Sequence, residues 1–244
     1  MPVLLSEDRL FANCESHLYN ETGRSVYMRP PKSMVRPSMT SHDVTMPAVS
    51  ARERILTAAY ELFSRRGIRA VGTDEVIERA GVARATLYRH FATKNDLVLA
   101  VLERREEVWT HGLIEEQSRQ RGTTPEEQLL AIFDVMHDWF QLRDGYEGCS
   151  FINVLLELGA DHPAGRASIT HIEHVRDIVR HRAVAAGLTD VEDFASSLHI
   201  LMKGAIILAA VGDLDAALRA RKMASVLIAE HRPVEPADIG EAVS

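Results

Sequence analysis

The chain has 244 residues, 46% of them apolar and 26% charged, enough for a real core in one large domain or in a small domain joined to a larger one. Its two cysteines, Cys14 and Cys149, lie far apart, which argues against a disulfide framework and fits a reducing cytoplasm. The longest wholly apolar run, residues 205–211, falls well short of the ~20 residues of a membrane span, and the N-terminus lacks the basic start and apolar stretch of a signal peptide.

Net charge is −7, which taken alone argues against a nucleic-acid partner, but it is unevenly spread. Residues 47–105 hold 11 Lys/Arg against 7 Asp/Glu, whereas residues 106–244 hold 12 against 23. A basic module on an acidic body is expected when one end of a protein meets phosphate and the other does not.

In chain order, residues 1–47 carry five prolines and no apolar period, and predict loop or disorder. Either the start codon lies at Met39 or Met46, or the segment is a flexible arm whose Arg29, Lys32 and Arg36 touch DNA. Helical periodicity begins after Ser50. Ile55, Leu56, Ala59, Leu62 and Phe63 form one stripe that Gly67 terminates. Thr73 is placed to cap a short second helix ending at Gly81, and a third spans about 84–91. Thr93 and Asp96 form a capping box that opens a fourth helix toward Trp109. Further helices are predicted from Pro125 to about Arg143, within 149–159, and over 163–186, 191–211 and 213–231. No alternating β-branched run is present, so the fold class is all-α with about nine helices.

The informative stretch is GTDEVIERAGVARATLYRHFATKNDLV, residues 72–98. Two short helices joined by a turn containing Gly81 make a helix-turn-helix. Leu87 and Phe91 point to one side of the third helix, which turns Ala85 and Arg89 outward with Arg84 and Tyr88 flanking. A face that combines a small residue with arginine can approach a major-groove floor. Arg84, Thr86 and Arg89 are placed to read bases, and Thr73, Tyr88, His90 and Lys94 to hold phosphates. Lys94 lies in the first turn of a helix, where the dipole disfavours a cation unless an anion arrives. The bland alternative is a small helical bundle with a solvated basic face.

TDEVIERAGVARATLYRHFATKNDL resembles the DNA-binding domain of the TetR (tetracycline-repressor-like) family, closely over residues 50–102 and by architecture alone beyond them. The resemblance implies DNA contact from Thr73, Arg84, Ala85, Thr86, Tyr88, Arg89, His90 and Lys94. One departure is Ala83, where relatives commonly place a capping serine; losing that hydroxyl weakens the helix cap by about 1 kcal/mol. The implied layout is a tail (1–47), a helix-turn-helix domain (48–94), a ligand-binding and dimerisation domain (95–232) and a C-terminal tail (233–244).

The resemblance also implies a homodimer that binds double-stranded operator DNA and lets go of it when a small-molecule effector occupies the body. Residues 191–211 are apolar around most of the helix, with Phe194, Leu198, Leu201, Met202, Ala205 and Leu208, and the last helix adds Val226, Leu227 and Ile228. Pairing of these last two helices with a second copy would form a four-helix interface; the alternative is burial within one subunit. An effector pocket is expected among Phe133, Met136, Trp139, Phe140, Phe151, Asn153 and Met202, although such a stripe is more often plain core. Cys149 reads as a buried small hydrophobe before a redox sensor. His171, His174 and His181 share a helix face near Glu173 and Asp177, with His162 upstream. That set lacks four closely spaced ligands and reads as a solvated face, so no metal and no cofactor are expected.

The function expected is therefore a cytoplasmic, sequence-specific DNA-binding regulator, a repressor in the first instance, with no membrane partner and no enzymatic activity. An activator of the same fold and a non-specific architectural DNA binder are alternatives. A metal-dependent hydrolase built on the histidine-rich helix lacks HExxH, a phosphate-binding loop and a nucleophile elbow.

Overall fold

A computed structural model describes residues 49–141 and 148–234, all helix and connecting turn, with no strand among them. The predicted tail 1–47, the helix end near Arg143 and the last ten residues lie outside the described residues.

Helix α1 (Ala51–Arg66) starts where Ser50 Oγ accepts from Glu53 N–H at 3.2 Å, and it buries Ile55, Leu56, Ala59 and Phe63 as its period requires. Helix α2 (Thr73–Ala80) is capped by Gly72, not by Thr73 as the sequence predicts. Glu75 takes over the reciprocal half of the cap, its Oε1 accepting from Gly72 N–H at 3.1 Å, which moves the helix start back by one residue. Gly81 ends α2 in the left-handed region, at φ 60°, a conformation open to glycine at no steric cost. Helix α3 (Arg84–His90) follows, with no side-chain cap at Ala83.

Helix α4 opens on the predicted capping box: Asp96 N–H donates to Thr93 Oγ1 at 3.1 Å, and Thr93 N–H to Asp96 Oδ2 at 2.9 Å. It runs on through an α-helical stretch Lys94–Arg105, a π-helical stretch Glu106–Gln117 and a last α-helical turn Ser118–Arg121. The expected end near Trp109 is passed by three turns because no proline intervenes and Trp109, Thr110, Ile114 and Ser118 are all buried.

The body is completed by α5 (Pro125–Gln141), α6 (Ser150–Leu158), α7 (Pro163–Ala185), α8 (Val191–Ala210) and α9 (Ala216–Glu230), so that the described residues form nine helices. Helix α7 starts at Pro163, with His162 Nδ1 accepting from Ala164 N–H. Gly165 lets this first turn cross the end of α6: a Cβ there would lie 1.9 Å from Gly159 O. Arg182 of α7 is buried and donates to Ser118 Oγ (2.6 Å), Glu115 O (2.6 Å) and Gln128 O (3.2 Å), tying α7 to α4 and α5. Burial pushes its guanidinium pKa down. Helix α8 is long and apolar enough to cross a membrane by length and composition, but 44% of that span is buried, and it packs between α7 and α9.

Candidate nucleic-acid interface

The first three helices are held by one core. Leu87 (0% exposed) and Phe91 (3%) of α3 pack inward with Val76 and Ala80 of α2 and with Ile55, Leu56 and Phe63 of α1. Turning those two residues inward leaves Arg84, Ala85, Tyr88, Arg89 and His90 exposed, with Thr86 half-buried, as the helical wheel requires. Three contacts set this face. Arg84 forms an ion pair with Asp74 of α2, across the turn. Thr73 Oγ1 and Tyr88 hydroxyl lie 3.2 Å apart, joining the first residue of α2 to the middle of α3. The His90 ring stands tilted beside Phe91 at 6.3 Å.

Lys94 departs from the sequence argument. Its ammonium donates to Ile68 O at 2.5 Å and lies 6.0 Å from the Phe63 ring centre, so a carbonyl of the α1–α2 connection already meets the cation. Glu75 is tied to Gly72 N–H and to Arg66. The backbone hydrogen bond first, and Arg66 second, hold its carboxyl below the usual range. Its charge complements the N-terminus of α2.

One contact that sequence reasoning missed joins this unit to the body. Glu157, in α6, accepts from Ile68 N–H (2.8 Å) and Arg69 N–H (2.6 Å) in the α1–α2 connection. A cleft of about 240 Å³ lies beside it, lined by Tyr60, Phe63, Ile68, Val101, Asn153 and Glu157 among others. Asn153 therefore faces the helix-turn-helix unit, apart from the other residues of the expected pocket. A residue two positions from Phe151 cannot share its helix face. Phe133, Met136, Trp139, Phe140, Phe151 and Met202 are indeed gathered in the core of the body, all nearly or wholly buried. Trp139 meets Trp109 edge-on at 5.7 Å, and the Arg105 guanidinium stands 5.3 Å from the Trp139 ring centre. Buried polar atoms without a protein partner occur at Trp109 Nε1, Thr110 Oγ1, Ser168 Oγ and His199 Nε2. They supply hydrogen-bonding capacity that an apolar stripe in the sequence does not reveal.

Cys149 is buried, its Sγ 3.9 Å from Lys203 Nζ, in keeping with a small packed side chain. The histidines of α7 are arranged differently from the expectation. Glu173 and Asp177 pair with Arg176 and Arg180 on their own helix. His171 and His174 turn instead to Glu106 of α4. Burial alone would raise the Glu106 carboxyl, but the adjoining His174 and His171 imidazoles outweigh it and hold the pKa low.

A short α3 with a small, arginine-bearing outer face, docked on α1 and α2 and followed by a helical body, defines a helix-turn-helix transcriptional regulator. Residues 55–101 match the family described as "Bacterial regulatory proteins, tetR family", and residues 125–224 match "Tetracyclin repressor-like, C-terminal domain". The chain belongs to the TetR family. Among its relatives is the HTH-type transcriptional activator FasR of Mycolicibacterium smegmatis, 35% identical over 96 residues, which are 39% of this chain and 43% of that one. The HTH-type transcriptional regulator SrpR of Pseudomonas putida is 25% identical over 165 residues, 65% of this chain and 73% of SrpR. The matches to FasR and to YvdT of Bacillus subtilis thus span only about two fifths of those relatives (43% and 41%). A solved structure, SCO4454 from Streptomyces coelicolor, superposes with a TM-score of 0.69 at 28% identity, covering 75% of this chain and 96% of that one.

Proposed function

We propose that the chain is a dimeric repressor that binds an inverted-repeat operator in the cytoplasm and is released by a small-molecule effector. The observation that carries the reading is the outer face of α3: Arg84, Ala85 and Arg89 stand exposed on a helix whose Leu87, with Phe91 at its C-terminal end, is buried in the core. Arg89 and Arg84 read base edges, with Thr86 at the side of the groove. Ala85 permits close approach, and Thr73, Tyr88, His90 and Lys94 meet phosphates around it. The net positive charge of the chain falls in residues 47–105, as phosphate binding requires.

Pairing is supported by an apolar face on the last two helices. Ile200, Ile207 and Leu208 of α8 and Met223 and Val226 of α9 are all about half exposed or more, beyond what a lone subunit in water favours. Phe194, Leu198, Met202 and Ala205, also expected on that face, are buried within the subunit. Two copies joined this way would set their α3 helices for successive major grooves, about 34 Å apart. The effector is an organic molecule with an apolar frame and a few polar groups, matching the aromatic core of the body and its unpartnered buried polar atoms. The name of FasR favours an activator as the second reading, with the same DNA face and the opposite output.

The test compares two variants. Arg89→Ala is expected to relax base preference, at about 1–3 kcal/mol of lost discrimination at one base pair. Lys94→Ala is expected to weaken binding to all sequences and to lower the salt slope by about 1. Unchanged affinity and preference in both variants would contradict the docking.

A further inference from the structure

We propose that Glu106, His171 and His174 form a binding site for one divalent transition-metal ion of the zinc, cobalt and nickel class. One ligand atom from each lies within 4.8 Å of the others. The two histidines are spaced i, i+3 on α7 and so share one face of that helix, and Glu106 meets them from α4, where its π-helical stretch begins. Both imidazoles present Nδ1. That of His174 is hydrogen-bonded to Glu106 Oε1. That of His171 stands 2.6 Å from Oε2, is buried, and lacks the direction of a hydrogen bond. Both carboxylate oxygens of Glu106 thus face an imidazole nitrogen, which brings the three donor groups to one point.

The donor set fixes the class of ion. Two neutral imidazoles and one carboxylate are a three-ligand set that zinc accepts with a fourth position left to water. Magnesium and calcium demand oxygen ligands and would reject it. Bonds near 2.0–2.1 Å place tetrahedral donor atoms about 3.3 Å apart, so an ion would part Glu106 from the histidines by several tenths of an ångström. Movement of that size is open to His174, whose side chain is 43% exposed and which also provides the way in. His171 and Glu106, at 13% and 12%, are more enclosed, with His171 held against the Phe151 ring at 5.0 Å, so their 2.6 Å separation widens by rotation of the Glu106 carboxylate. Neither Glu173 nor Asp177 can take the place of Glu106, since arginines of α7 hold both. The site does not depend on the chain being a repressor.

The test is titration of the full chain, free of any histidine tag, with Co2+ followed by displacement with Zn2+, read by visible absorption. The expected result is one Co2+ per chain with the absorption of a low-coordinate nitrogen and oxygen site, lost on adding Zn2+. His171→Ala and His174→Ala should each weaken binding by at least ~10-fold, with the helical circular dichroism retained. Should His171→Ala fail to fold, His174→Ala carries the comparison, because its half-exposed side chain is not needed for packing. Absence of Co2+ binding, or binding equally tight in the His174→Ala variant, would overturn the site.

Discussion

At the N-terminal end of α3, Arg84 is held by Asp74, and reading a base through it means leaving that carboxylate. Arg89, five residues further along α3 and turned outward with Ala85, is the better test of base reading for that reason. His199 shows the opposite situation, a titratable group enclosed by the fold. Burial first, then Lys203 and Arg176, pushes its pKa down to about 3. The unfolded chain takes up this proton near pH 6.5 and the folded chain does not, so folding stability is complete above pH 6.5 and is lost as pH falls toward 3. The loss is at most about 1.4 kcal/mol per pH unit. Urea unfolding at pH 7.5 and 5.5 should show a smaller acid loss in His199→Gln than in the parent chain. An equal loss would mean that this imidazole is not the group responsible.

At the scale of elements, α6 is the strut between the helical body and the helix-turn-helix unit. Glu157 binds two amides of the connection between α1 and α2, and Lys94 at the start of α4 binds the carbonyl of Ile68 in the same connection. The turn is therefore gripped from both sides by elements that continue into the body. Glu157→Gln keeps one good acceptor and loses the charge, a change of about 1–2 kcal/mol for charge-assisted hydrogen bonds. Amide exchange at Ile68 and Arg69 should quicken, and an effector should release DNA less completely. Exchange and release equal to those of the parent chain would show that the strut transmits nothing.

Local chemistry explains which elements the sequence makes legible. Gly81 in the turn, the capping box of Thr93 and Asp96, and the opposition of Leu87 and Phe91 to Ala85 and Arg89 all act within one or two helical turns. Each is found where the pattern predicts. Thr73 lies one residue past the true cap because Gly72 serves, with Glu75 supplying the carboxylate. The missed contacts are those whose partners lie far apart along the chain. Glu157 answers Ile68 from 89 residues away and Glu106 answers His174 from 68. Periodicity carries no information about either. Asn153 is expected in the pocket with Phe151, and the 100° helical step places it on the cleft instead.

For the whole molecule, the half-exposed apolar residues of α8 and α9 are the face on which the proposed pairing rests. A charge set among them, as in Ile200→Glu combined with Val226→Glu, should leave the fold intact, since both side chains point out of the subunit. Sedimentation should then show a monomer, with operator affinity reduced by orders of magnitude because two half-sites are no longer bound together. A dimer that survives both charges would place the interface elsewhere.

The central claim is that two copies of α3 read a symmetric operator. Selection of bound sites from a random duplex pool by the purified full chain, at near-physiological salt, tests it most directly. The expected result is an enriched inverted repeat whose half-sites lie one helical turn, about 34 Å, or a multiple of it apart, with the enrichment at one base pair per half-site lost in Arg89→Ala. A pool that shows no preferred sequence, or a single site without the repeat, would contradict the account.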